Sequence, residues 1–152
     1  MTHRAFYLTL ALVALAPFPM SAAGQDSLQL RLDVPSEARL GAPVPLTLRV
    51  ENTGGRPLDL YLRGRTIAFD VIVERDDGRV VWRKLEGEII PAIVQVKTLR
   101  PREVMELHAR WDQRTNRRRR VAAGLYSVRG ALLTDMPTPL ETAAVQLRIV
   151  PD

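Results

Sequence analysis

The chain reads as an all-β protein, an antiparallel β-sandwich of about seven to nine strands. Three observations carry that reading. Short segments between Val44 and Tyr126 alternate apolar and polar residues, so each offers one face to a core and one to water. Turn-forming clusters separate them: Asn52-Thr53-Gly54-Gly55, Asp76-Asp77-Gly78, Leu99-Arg100-Pro101 and Ala123-Gly124. Beyond the N-terminal apolar run, no segment carries a convincing helical periodicity.

Taken in order, Leu28, Leu30, Leu32 and Val34 alternate with Gln29, Arg31 and Asp33 as a half-buried strand. Pro35 to Pro43, containing Gly41, is a connector. Leu46, Leu48 and Val50 make the next strand, ended by Asn52 to Gly55, whose residues tolerate positive φ and so mark a chain reversal. Leu58, Leu60 and Leu62 alternate before a turn at Gly64. Ile67 to Val73 is apolar almost throughout, as in a strand covered on both faces. Asp76-Asp77-Gly78 closes a tight hairpin into Val80-Val81-Trp82. Glu86 to Lys97 has no clear pattern, and Pro91, which cannot donate to a ladder, implies a bulge, an edge or an irregular crossing. After a turn at Leu99 to Glu103, Met105, Leu107, Ala109 and Trp111 alternate. Leu125–Leu133 and Ala144–Val150 supply the last two strands, joined by a loop holding Pro137 and Pro139. Antiparallel pairing predicts a core of Leu48, Phe69, Val71, Trp82, Leu107, Trp111, Tyr126 and Val128, anchored by Trp82, Trp111 and Tyr126. The strand number and turn spacing are those of an immunoglobulin-like sandwich, which works by presenting loops or an edge to a partner.

The N-terminus reads as a secretory signal. His3 and Arg4 form a basic head, Ala5 to Ala16 an apolar run, and Ser21-Ala22-Ala23 a cleavage site before Gly24. Twelve residues are too few to span roughly 30 Å of hydrocarbon, and Pro17 and Pro19 follow at once. The expected product is a single domain of residues 24–152, exported to the periplasm or the exterior, with no membrane span after cleavage. It contains no cysteine, so disulfides, thiol nucleophiles and cysteine metal sites are excluded, and packing alone must hold the fold. The net charge of +5 is almost entirely arginine, only Lys84 and Lys97 being lysines.

The parts of an enzyme are scarce. His108 is the only histidine beyond the signal and points away from the Leu107 face of its strand, as an exposed structural residue. No Gly-x-Ser-x-Gly elbow accompanies it. Asp76-Asp77 is explained by its turn, and Glu86 and Glu88 carry no acid–base signature. The reading is a binding protein without a catalytic constellation, a metal or a cofactor.

The order of four pieces resembles the BsuPI family, the intracellular proteinase inhibitor domain. They are Leu48-Arg-Val-Glu-Asn52-Thr53; Phe69-Asp-Val-Ile-Val73 with Asp77-Gly78 and Val81-Trp82; Leu99 and Pro101 before a strand ending in Trp111-Asp112; and Ala123-Gly124-Leu125-Tyr126. Together they cover Val44 to Leu133. The resemblance implies an immunoglobulin-like sandwich and a non-enzymatic protein-binding role against a serine protease. Two features depart from it. The aromatic-Thr-Gln cluster common after the tryptophan strand is replaced by Ile90-Pro91-Ala92-Ile93, and the family's name says intracellular whereas this chain carries an export signal.

One segment stands apart: Arg114 and Arg117, Arg118, Arg119 and Arg120 fall between the strand ending at Trp111 and the strand beginning near Leu125. The first reading is a solvated insertion without a binding role: like charges this close repel, so an exposed, mobile loop is expected. As a binding element it suits an anionic envelope surface or an acidic protein face, because guanidinium groups bond phosphate and carboxylate in pairs. A third reading makes it bait for a trypsin-like protease, which demands a rigid loop. Nucleic acid is not an expected partner, since no aromatics are interleaved to stack bases.

Overall fold

The computed structural model describes residues 27–151. The expected signal, residues 1–23, lies outside the described residues. Eleven strands follow one another: β1 (Leu28–Asp33), β2 (Glu37–Arg39), β3 (Val44–Asn52), β4 (Leu58–Arg63), β5 (Phe69–Arg75), β6 (Val80–Arg83), β7 (Val94–Leu99), β8 (Val104–Trp111), β9 (Gly124–Leu132), β10 (Leu140–Glu141) and β11 (Val145–Val150), with no helix among the described residues. They form a sheet β1-β3-β8, a larger sheet β2-β11-β9-β5-β6 with β10 beside β9, and the pair β4-β7. Every pairing is antiparallel except that of β11 with β2. This is the predicted all-β sandwich.

The core follows from the alternation. Val44, Leu46, Leu48 and Val50 of β3 are fully buried, and they join Phe69, Val71, Val73, Val128, Leu147 and Ile149 from the opposing sheet in one apolar cluster. β5 is buried at five successive positions because it lies between β9 and β6, while the chain after β6 turns over its outer face, where Leu85 N–H donates to the Asp70 carboxylate. Gly130 brings β9 close to the facing sheet: a Cβ there would lie 3.0 Å from a Leu48 methyl.

Two expected core residues, Trp82 and Leu107, are only partly buried. Each lies on the outermost strand of its sheet, β6 and β8, where one flank faces water. The Asn52–Gly55 cluster also differs from expectation. It is not a hairpin, because β3 pairs with β1 and β8 whereas β4 pairs with β7, so the segment crosses between sheets. Neither Gly54 nor Gly55 has positive φ. Gly54 is required by proximity instead, since a Cβ would come within 2.7 Å of the Ser27 Cβ. Asn52 itself is fully buried, donating to the Arg56 and Leu99 carbonyls and accepting the Gly54 N–H, which fastens this crossing to the end of β7. Gly78, by contrast, does take φ +77° in the β5–β6 turn, as that hairpin demands.

Candidate functional site

The arginine segment is not a free loop. Arg114 and Arg120 bridge as an antiparallel pair, Thr115 N–H donates to the Arg119 carbonyl at 2.8 Å, and Arg118 N–H donates to the Thr115 carbonyl at 2.8 Å. Arg118 sits at φ +60°, completing a tight turn. The segment is exposed at residues 116–120, as expected, but it closes into a hairpin, and the reason lies in what surrounds it.

Three contacts bolt the hairpin down. At its base the Trp111 indole N–H donates to the Arg114 carbonyl at 2.8 Å. Just beyond its far end the Tyr126 hydroxyl donates to the Ala122 carbonyl at 2.7 Å. That bond, to a carbonyl four residues upstream, is the tyrosine corner of immunoglobulin-like sandwiches. On its flank the Asn116 side chain accepts the Arg83 N–H and donates to the Arg83 carbonyl, both at 2.8 Å, while Asn116 N–H reaches the Val81 carbonyl at 3.3 Å. Asn116 thus satisfies the exposed edge of β6, which would otherwise be open to another strand.

The anchors are coupled to one another. Trp82 stacks on Trp111 with ring centroids 6.3 Å apart, and Trp111 meets Tyr126 edge-on at 5.7 Å. Trp111 and Tyr126 are core residues, as predicted, whereas Trp82 lies at the border. Burial pushes the Tyr126 phenol above the usual tyrosine range, an effect that the charge of Arg75 opposes. β6 is fixed in turn by the Arg83 guanidinium, whose Nε and Nη2 lie 3.0 and 2.7 Å from one oxygen of the buried Asp70; the other oxygen accepts the Leu85 N–H. Gln113, buried beside the hairpin, accepts the Gly41 N–H and donates to the Arg39 and Ala42 carbonyls.

The structure divides the five predicted arginines. Arg114 is half-buried and structural: it pairs with Asp112 at 3.8 Å and donates to the Arg118 carbonyl at 3.0 Å. Arg117, Arg119 and Arg120 line an open groove of about 830 Å³, and Arg118 does not. The opposite bank comes from the β5–β6 hairpin, with Arg75, Arg79 and Arg83. Sequence reasoning missed these three, which are scattered singly along the chain and carry no local signal. Six arginines and one acidic residue, Glu86, therefore line the groove, although the Arg83 guanidinium is held by Asp70. Arg79 is paired with Asp77 and Arg83 with Asp70, while Arg75, Arg117, Arg119 and Arg120 have no ion-pair partner among the described residues.

Elsewhere, His108 lies exposed on β8, 3.1 Å from the Thr47 hydroxyl. Among the described residues no group of three or more His, Asp or Glu is placed to hold a metal ion, and no helix is long and apolar enough to cross a membrane.

Solved structures similar to this chain include a CARDB domain from Pyrococcus furiosus in complex with di-metal ions (15% identity, 81% of this chain and 87% of that one, TM-score 0.43). A β-glucosidase from Listeria innocua in complex with glucose matches at 12% identity over 81% of this chain and 16% of that one, TM-score 0.42. The Pseudomonas fluorescens alkylpurine DNA glycosylase AlkC, bound to DNA, matches at 17% identity over 80% of this chain and 30% of that one, TM-score 0.43. Likeness at this level carries no inference about activity. No curated protein sequence matches. The profile of the BsuPI family, described as intracellular proteinase inhibitor, matches residues 28–136, from the start of β1 to just past β9, which includes every residue of the groove. The chain belongs to the BsuPI intracellular proteinase inhibitor family.

Proposed function

We propose that this protein is an exported, non-enzymatic inhibitor that binds a serine protease through a surface of the sandwich. Family membership is the observation that carries this reading. The test is direct: the purified chain of residues 24–152 is titrated against a panel of serine proteases. Stoichiometric slowing of at least one supports the proposal. A folded domain that leaves the whole panel unaffected removes the inhibitor role. Export is tested separately, by the compartment in which the full-length chain accumulates and the mass of its N-terminus.

The arginine hairpin does not support the bait version of this reading. It is closed by its own hydrogen bonds, but a protease cleft takes an extended chain, whereas residues 115–118 form a tight turn with Arg118 at φ +60°.

A second reading is an envelope interaction module that contacts an anionic surface through Arg114 and Arg117 to Arg120. The observation favouring it is the hairpin itself, which holds like charges together against their repulsion. Salt-sensitive binding to anionic vesicles or acidic polysaccharide, lost when Arg117 to Arg120 become serine, supports this reading; binding unchanged by those substitutions discards it.

A further inference from the structure

We infer that the groove between the β5–β6 hairpin and the arginine hairpin docks an extended, acidic segment of a partner polypeptide. The inference rests on the reading of the domain as a protein-binding module and names the surface that does the binding.

Charge sets the sign of the occupant. Four of the six arginines lining the groove have no ion-pair partner among the described residues, and the single lining carboxylate cannot neutralise them. A cleft lined by one sign of charge focuses its field on whatever enters. Guanidinium groups bond carboxylates in pairs, so aspartate or glutamate side chains suit both banks.

The lining selects a polypeptide over other anions. Arginines from two separate hairpins surround the site, so an occupant has to reach both, as an extended chain does. Its lining also includes apolar groups, Val80, 45% exposed, and the half-buried Val81. A bare phosphate polymer has nothing to place against them, whereas an acidic peptide with intervening apolar side chains fills both kinds of contact. Asn116 already occupies the bonding groups of β6 at Arg83 and Val81. The guest is therefore held by its side chains and not by strand addition, which makes the interaction depend on where its charges fall.

The groove makes a prediction that charge counting does not. Arg75 lies far from the arginine run in sequence but lines the groove; Arg118 lies within the run but outside the groove. The probe is a short fluorescein-labelled peptide alternating glutamate and valine, followed by anisotropy, with its glutamine counterpart as control. Binding of the acidic peptide alone is expected. Arg75→Ser and Arg120→Ser should each weaken it about fivefold or more, consistent with loss of a charge-assisted bond at a partly exposed site, and Arg118→Ser less than about twofold. Circular dichroism and melting temperature confirm that each variant is folded. Equal losses from Arg75→Ser and Arg118→Ser would mean that only total charge matters, and would overturn the inference. So would binding of phosphatidylglycerol vesicles or polyphosphate with no binding of the peptide. The two proposals fail separately. If Arg75→Ser abolishes peptide binding yet leaves protease inhibition intact, the groove is not the partner site and the inhibitor reading stands. If the peptide binds with the expected pattern while no protease is slowed, the groove stands and the inhibitor reading falls.

Discussion

Replacing Asn116 with alanine isolates what holds the arginine hairpin against β6. The substitution removes two hydrogen bonds, both 2.8 Å long, to the Arg83 backbone, and leaves the 3.3 Å bond from Asn116 N–H to Val81 in place. A neutral hydrogen bond contributes about 0.5–1.5 kcal/mol net. Because these groups are exposed and water can replace the lost partner, the lower half of that range applies, giving about 1–2 kcal/mol for the pair. The loss falls on the hairpin and not on the core, since Trp111 and Tyr126 still hold its two ends. The opening equilibrium of the hairpin should therefore rise by a factor of roughly 5–30. Native-state amide exchange reads this directly. The Thr115 and Arg118 amides, which bond across the hairpin, should exchange faster by that factor, while the Val128 amide in the middle of β9 should not change. Unaltered exchange at Thr115 and Arg118 would mean that Asn116 is incidental and that repulsion among the arginines is balanced elsewhere. A comparable acceleration at Val128 would mean that the hairpin is part of the global fold.

Other perturbations separate the remaining claims. Trp111→Ala should cost about 3–5 kcal/mol, and Trp82→Ala roughly half as much because Trp82 is only partly buried; equal costs in urea unfolding would contradict the border position of Trp82. Gly54→Ala should destabilise by about 1–3 kcal/mol through its clash with Ser27, whereas Gly55→Ala, with nothing within 4 Å and no positive φ, should change stability by less than about 0.5 kcal/mol. Equal effects at the two glycines would show that proximity to Ser27 is not the constraint. Glu103 accepts the Arg100 N–H at 2.8 Å, and that bond, with the nearby charge of Lys97, holds its carboxyl below the usual glutamate range. A carboxyl with a lowered folded pKa contributes stability above its unfolded pKa and loses it as pH falls through the folded value. Urea midpoints measured from neutral pH into the acid range should therefore show a smaller acid loss in Glu103→Gln than in the parent chain, and parallel curves would refute the assignment.

The strands were legible where alternation was strong. β1, β3, β4 and much of β8 turn alternate residues inward, buried or half-buried, so the period of two survives in the letters. β5 was legible for the opposite reason, a run apolar but for Asp70 and covered on both faces. β7 was not, because Val94 and Val96 are exposed while Gln95 and Lys97 stand opposite Leu62 and Leu60, which inverts the usual pattern. β2 and β10, of three and two residues, are too short for any period to register. Asn52 and Gln113 look like ordinary polar loop residues, and only the carbonyls that tertiary structure brings around them make them buried plugs.

By itself, the sequence determined that this chain is a cysteine-free β-sandwich with one concentrated patch of positive charge, since alternation, turn chemistry and composition are local properties of neighbouring residues. Tertiary structure decided what that patch is. Core aromatics and Asn116 close it into a hairpin, and the folding of β5 and β6 beside it brings Arg75, Arg79 and Arg83 to face Arg117, Arg119 and Arg120. Arg75 and Arg120 are far apart along the chain, and no local propensity specifies that they share one groove; only the burial of the sheets between them does.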